Sequence, residues 1–254
     1  MEPLKRVARG LFNWAGLDVT RRRPGRVPID ADVYDGETIE AVRPYTMTSP
    51  QRVLALCEAI RYIVQNGIPG DVVECGVWRG GSMMAAARTL LHLGDTSRRL
   101  FLYDTFEGMP APSAPDRDLG GAAAADILAA QPRDRENRYW CIADQRDVER
   151  TLLSTRYPAE GIRLVKGRVE DTIPGTVPDR IALLRLDTDW YSSSRHELEH
   201  LFPLLQPGGV LIVDDYGQWQ GARQALDEYV AALRVPLLLH RIDSSARIAV
   251  KVSA

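Results

Sequence analysis

Residues 71–82 read DVVECGVWRGGS, and this stretch decides the fold. DVVECG is short, β-branched and closed by glycine, the signature of a strand. Gly76, Gly80 and Gly81 supply a turn, and a helical pattern over 82–93 follows until Gly94 stops it. A strand, a glycine turn and a helix in immediate succession form the repeating unit of a parallel sheet. The unit recurs outward along the chain. RLFLYD (99–104), GIRLVKG (161–167), IALLRLD (181–187) and GGVLIVDD (208–215) read as further strands, with helices over 50–66, 193–205 and about 219–233. LLLHRID (237–243) and ARIAVKV (246–252), parted by Ser244 and Ser245, read as a closing hairpin. The expected fold is α/β: a mostly parallel sheet with one antiparallel C-terminal strand and helices on both faces. Between the second and third strands lie a Pro-rich loop, FEGMPAPSAPD (106–116), an alanine-rich stretch (121–131) that reads as a helix or a lid segment, and a helix over 144–155.

A chain of 254 residues is long enough for one sizeable core. Its net charge of −2 and pI near 6.1 lack the basic footprint of a nucleic-acid binder, so a small-molecule partner is expected. Cys57, Cys75 and Cys141 are odd in number and show no metal-ligand spacing, which suits a reducing cytoplasm. No apolar run approaches the roughly 18–20 residues of a membrane span. In the first 28 residues, Leu4, Val7, Leu11 and Trp14 fall at helical spacing opposite Lys5, Arg6 and Arg9. Such a stretch can lie on a membrane, but a solvated arm or a helix packed on a partner subunit is the expectation.

Two apolar strands end in acids: IALLRLDTD in Asp187 and Asp189, GGVLIVDD in Asp214 and Asp215. At the end of a buried strand an unpaired carboxylate costs several kcal/mol. Neighbouring parallel strands lie about 4.8 Å apart, so Asp187, Asp214 and Asp215 would converge and share a divalent cation, Mg²⁺ or another hard ion. Pairing with Arg185, Arg195 or Arg223, or helix capping, is the competing reading, and it explains one cluster more easily than both. Asp189 shares the cavity as a candidate general base for an alcohol nucleophile.

In open α/β sheets ligands collect at the carboxyl ends of the strands. There ECGVWRGGS sets Glu74 ahead of glycines that allow close backbone approach and a helix N-terminus with free N–H groups. It is neither GxGxxG nor a phosphate loop. Asp104 would accept from ribose hydroxyls, or else anchor a loop. Glu74, the glycine turn and Asp104 together read as a nucleoside pocket for a ligand without a pyrophosphate, which S-adenosylmethionine fits.

VVECGVWRGGS, LYDTFEGMP, LRLDTDWYSSS and GGVLIVDDYGQWQGARQALDEY, in this order, resemble the macrocin O-methyltransferase family over roughly residues 45–251. The resemblance implies a class I methyltransferase sheet of seven strands, S-adenosylmethionine and a divalent metal as cofactors, and methylation of a sugar hydroxyl on a macrolide or related antibiotic. It implies metal ligation by Asp187, Asp214 and Asp215, catalysis by Asp189 with Asp187, and cofactor contacts from Glu74, Gly76, Ser82 and Asp104. It further implies a cofactor lid at YTMTSPQR (45–52), with Thr46 and Met47, an adenine-side contact from Asp171, and a homo-oligomer. On this reading residues 1–48 are an N-terminal arm and lid, and 49–254 the methyltransferase domain. Trp190 and Tyr191 are candidates for the acceptor pocket, while packing accounts for at least two of Trp78, Trp140 and Trp219.

Two other functions compete. Asp187-Thr188-Asp189 is also a DxD motif, as used by glycosyltransferases to hold a metal and a nucleotide sugar, but that leaves Glu74 and the Asp214/Asp215 pair idle. A non-catalytic binding protein of the same fold would gain nothing from crowded carboxylates.

Overall fold

The computed structural model describes residues 27–233 and 237–252; the basic amphipathic stretch at the N-terminus lies outside them. In chain order the elements are α1 (Val33–Val42), α2 (Pro50–Gln65), β1 (Asp71–Cys75), α3 (Gly81–His92), β2 (Leu100–Asp104), α4 (Ala124–Ala129), α5 (Gln145–Leu153), β3 (Ile162–Lys166), α6 (Val169–Thr172), β4 (Ile181–Leu186), α7 (Tyr191–Leu201), β5 (Leu205–Val213), α8 (Gln220–Ala232), β6 (His240–Arg241) and β7 (Arg247–Val250).

The strands form a seven-stranded sheet in the order β3-β2-β1-β4-β5-β7-β6. β1 to β5 pair in parallel, and β7 runs antiparallel to both β5 and β6. This is the expected α/β sheet with its C-terminal hairpin. Side-chain alternation builds a core on each face. Val72, Leu100, Leu102, Leu183, Val210 and Ile212 pack with α2 and α3 on one side; Val73, Phe101, Tyr103, Leu184, Leu211 and Val213 pack with α7 and α8 on the other.

α2 starts where the sequence puts a start, with Pro50 at its first turn and the Ser49 side chain accepting the Arg52 N–H. α1 was not anticipated. Its sequence, VYDGETIEAV, is only weakly amphipathic and contains Gly36, yet Asp32 caps it and Ile39 and Val42 are buried against α2 and α3. Tertiary packing thus makes a helix within the segment expected to be arm and lid.

What matters for function is strand register. Cys75 pairs with Leu186, and Leu186 with Val213. The ladder continues one step beyond: Asp187 N donates to Cys75 O (2.8 Å) and Asp214 N to Leu186 O (2.9 Å). Gly76, Asp187 and Asp214 therefore leave the sheet at one level, side by side.

Candidate active site

A cavity of about 440 Å³ opens at the carboxyl ends of β1, β2, β4 and β5, where strand order reverses between β1 and β4. Thr46, Met47, Gly76, Ser82, Asp104, Asp187, Asp189, Asp214 and Asp215 all line it. Residues far apart in sequence and expected in one site are thus brought together.

Glu74 and Asp171 do not line it. Glu74 points from β1 into the face covered by α2 and α3 and is 1% exposed, so its contact is with the protein and not with the cavity. Asp171 is exposed on the outside of α6. Val169 turns into the core there, which leaves Glu170, one residue earlier, on the cavity wall with Arg168 3.4 Å away.

The cation that answers both acid clusters belongs to the chain. Arg185, buried in β4, donates from Nη1 to Glu74 Oε1 (2.6 Å) and Asp187 Oδ2 (2.7 Å), and from Nη2 to Asp214 Oδ1 (2.6 Å) and Thr48 Oγ1 (2.9 Å). Pairing with Arg185 therefore reaches both strand ends, although from sequence such pairing explains one cluster more easily than both. The register explains it: Glu74 and Arg185 are direct partners on adjacent strands, with side chains on the same face. Arg52, from α2, also binds Asp214 and reaches Asp243 at 2.8 Å.

Two arginines do not satisfy all the acids. One carboxylate oxygen from each of Asp187, Asp214 and Asp215 lies within 4.8 Å of the other two. Asp215 Oδ2 and Glu74 Oε2 are buried without a hydrogen-bond partner. Burial, with the charge of the neighbouring aspartates, pushes the Asp187 and Asp215 carboxyls well above the usual range, Arg185 opposing this at Asp187. Burial, with the negative charge of Asp187, raises Asp189 to about 7. Burial also raises Glu74 to about 7 against the pull of Arg185. Asp189 has φ +67°, a left-handed conformation that costs a non-glycine residue energy and is concentrated at functional sites.

Asp104 is an anchor as it stands. Its Oδ2 accepts from Val77 N (2.7 Å) and Trp78 N (3.0 Å), and its Oδ1 from Phe106 N (2.7 Å), which fixes the turn after β1. Gly76, with φ +82°, is required by closeness: a Cβ there would fall inside the Asp187 carbonyl. Gly81 and Ser82 open α3 with first-turn N–H groups at the cavity wall.

Trp78, Trp190 and Trp219 line the cavity, whereas Trp140 packs behind it and donates to Gln131 O; Trp78 and Trp219 pack against the core as well as facing the site. Tyr191 lies outside the cavity, its hydroxyl donating to Glu228. Thr48 and Arg52 belong to the segment 45–52 expected as a cofactor lid, though their bonds to Arg185 and Asp214 were not foreseen; the wall formed by Met109 and Leu128 escaped the sequence reading. An arginine inside an otherwise apolar strand, IALLRLD, was the available signal for the buried ion pair.

The family described as Macrocin-O-methyltransferase (TylF) has a model that matches residues 34–249. The chain belongs to the macrocin O-methyltransferase family. This O-methyltransferase is 35% identical over 234 residues to 8-demethyl-8-(2,3-dimethoxy-alpha-L-rhamnosyl)-tetracenomycin-C 4'-O-methyltransferase of Streptomyces olivaceus, covering 86% of this chain and 83% of that one. It is 32% identical over 202 residues to demethyldecarbamoylnovobiocin O-methyltransferase of Streptomyces niveus, covering 78% of this chain and 72% of that one. Among solved structures, the O-methyltransferase NovP superposes with a TM-score of 0.71 at 29% identity, over 82% of this chain and 83% of that one. Family membership removes the DxD glycosyltransferase and the non-catalytic scaffold from consideration.

The methyltransferase's residues fit the groups its family implies. Arg185 pairs with Glu74, Asp187 and Asp214, and Arg52 with Asp214 and Asp243, so two guanidinium groups face four carboxylates, with Asp189 and Asp215 beside them in the cavity. The excess negative charge and the orphaned Asp215 Oδ2 suit a hard divalent cation on an all-oxygen donor set. The glycine turn and the first-turn N–H groups of α3 at the cavity wall suit the carboxylate end of an amino-acid-bearing nucleoside.

Proposed function

We propose that this enzyme moves a methyl group from S-adenosylmethionine to a hydroxyl of a sugar carried by a natural product, with a divalent cation held by Asp187, Asp214 and Asp215. The observation that carries this reading is the meeting of the four aspartates with the Gly76–Ser82 turn in one cavity. The names of the curated relatives, which act on rhamnosyl-tetracenomycin and novobiocin precursors, support a glycosylated acceptor.

When bound, S-adenosylmethionine supplies an electrophilic methyl carbon and the cation supplies charge that favours an ionised hydroxyl. The protein does the rest by placement. Gly76, Ser82, Thr46 and Met47 line the donor's side of the cavity and Asp104 holds that turn in shape. Asp189 receives the proton that the acceptor hydroxyl gives up as its oxygen takes the methyl group, and a carboxyl tuned to about 7 is matched to that task near neutral pH. Arg185 keeps the Asp187 and Asp214 carboxylates apart and oriented. Trp190 and Trp219, nearly perpendicular with centroids 5.0 Å apart, wall the cavity and exclude water from it.

The test is calorimetric titration with S-adenosylmethionine, with Mg²⁺ and with chelator, followed by mass spectrometry of a panel of rhamnosylated aromatic polyketides and aminocoumarin glycosides. S-adenosylmethionine binding that survives chelation, with metal-dependent gain of one methyl group by a panel member, is expected. Failure to bind S-adenosylmethionine overturns the reading. We also infer a cytoplasmic homo-oligomer: the three cysteines are unpaired, and light scattering on the purified protein checks the assembly. No described helix is long and apolar enough to cross a membrane.

A further inference from the structure

Helix α7 begins directly after Asp187-Thr188-Asp189, and it begins without a cap of its own. Trp190 at the cap position offers no side-chain acceptor and the first turn carries no acidic residue, although helix starts leave N–H groups that Ser, Thr, Asp or Asn ordinarily satisfy. The acceptor comes from 75 residues away: Asp116 Oδ1 takes the Tyr191 N–H at 2.7 Å. A carboxylate there also complements the positive end of the helix.

Asp116 is 1% exposed, and nothing in the methyl-transfer reading uses it. Its Oδ2 accepts from Ser113 N (2.6 Å) and Ser113 Oγ (2.7 Å), and its carbonyl accepts from Ala124 N (2.8 Å). A Cβ on Gly221, at the start of α8, would overlap Asp116 Oδ1. The carboxylate is thus fitted between the first turns of the two helices that follow the two acid clusters. Further bonds join the same pieces: Trp190 Nε1 donates to Pro110 O (3.0 Å) and Gln220 N to Arg117 O (2.8 Å). The segment so fastened carries Met109 and Leu128, which pack with Trp190 and Trp219 and line the cavity beside the aspartates.

We propose that Asp116 is a positioning residue for acceptor recognition: by capping α7 from a distance it holds segment 106–129, with its apolar wall, in register with Asp187 and Asp189. The segment so placed selects acceptors whose reacting sugar is joined to an apolar ring system. This rests on the methyl-transfer reading of the site.

The test compares wild type with Asp116→Ala, Asp116→Asn and Tyr191→Pro. Proline at the first helical position removes the N–H donor, together with the exposed Tyr191 hydroxyl bond to Glu228 outside the cavity, for which Tyr191→Phe is the control. Trp190, with φ −94° and ψ 153°, already has the extended backbone that a following proline requires. With the panel acceptor that wild type methylates, Asp116→Ala and Tyr191→Pro are expected to raise acceptor KM by about tenfold, as small misplacements of a binding wall do. The S-adenosylhomocysteine Kd should stay within about twofold, since the donor side of the cavity is untouched. Asp116→Asn, which keeps an acceptor oxygen for Tyr191 N–H but turns its amide towards Ser113 N–H, should recover part of the loss. An unchanged acceptor KM in Asp116→Ala, an equal loss for both ligands, or no rescue by asparagine overturns the proposal. A wild type that binds no S-adenosylhomocysteine and methylates nothing defeats the methyl-transfer reading separately. Amide hydrogen exchange then still decides this inference: Asp116→Ala should speed exchange within 106–129 and the first turn of α7, and unchanged exchange there overturns it.

Discussion

Arg185 Nη2 lies 2.6 Å from Asp214 Oδ1, across the boundary between β4 and β5, in a position shielded from solvent. The same guanidinium holds Glu74 and Asp187, so one side chain bridges acids from three neighbouring strands. Arg185→Met keeps the length and removes the charge, leaving buried carboxylates unpaired. It is expected to destabilise the fold by about 3–5 kcal/mol, read from urea unfolding; a loss below about 1 kcal/mol would contradict the pairing.

Asp187→Asn and Asp214→Asn should each abolish turnover while S-adenosylmethionine affinity stays within a few-fold, because the glycine turn is not touched. Burial and the neighbouring aspartates raise the Asp187 and Asp215 carboxyls, so protons compete with a cation there. A cation entering there displaces protons, so Mg²⁺ affinity should rise with pH. Calorimetry in buffers of different ionisation enthalpy measures the released protons; an affinity that does not change with pH counts against the cation site.

Asp189→Asn should lower kcat by about 10²–10⁴-fold with little change in Mg²⁺ affinity, as expected for loss of a general base. Since Asp189 titrates at about 7 and must be ionised to accept a proton, kcat in wild type should rise with pH through that value. Single-turnover rates across the range check this, and a wild-type rate for the asparagine variant at neutral pH would remove Asp189 as the base.

Asp243 gives a stability signature apart from the chemistry. Burial opposes its ionisation, but the backbone N–H groups of Ala246 and Ser245 and the Arg52 guanidinium hold it down at about 2. Its folded value is below the unfolded one, so its contribution is complete above the unfolded value and is lost as pH falls through the folded one. Asp243→Asn should therefore cost about 2 kcal/mol at pH 7. The difference from wild type should vanish as the pH falls from about 4 to about 2. Urea midpoints at the two ends of that window decide it.

The sheet was legible because its evidence is local: five short β-branched or apolar runs, each bounded by turn residues, alternate with helical patterns. The aspartates were legible because an acid at the end of a buried strand has to be explained. Arg185 was visible in the same strand, but its reach to both clusters depends on register with Glu74 across β1, which no local pattern reports. The resemblance pointed to Asp171, and a four-residue helix has too short a period to say that Glu170, and not Asp171, faces the cavity. The helix at Val33–Val42 escaped because neighbours, and not its own pattern, decide it. The Met109 and Leu128 wall, in a segment of loop and short helix, had no period to betray it.

Glu74, Asp187 and Asp214 come with a counterion that the ribosome itself installs, in the form of Arg185. The newly made chain therefore has no need to wait for metal before its central strands close. A protein whose acids depended wholly on an outside ion would tie its folding to the supply of that ion. With the cation proposed above, shortage would silence the enzyme without unmaking it, and activity would return when the ion does.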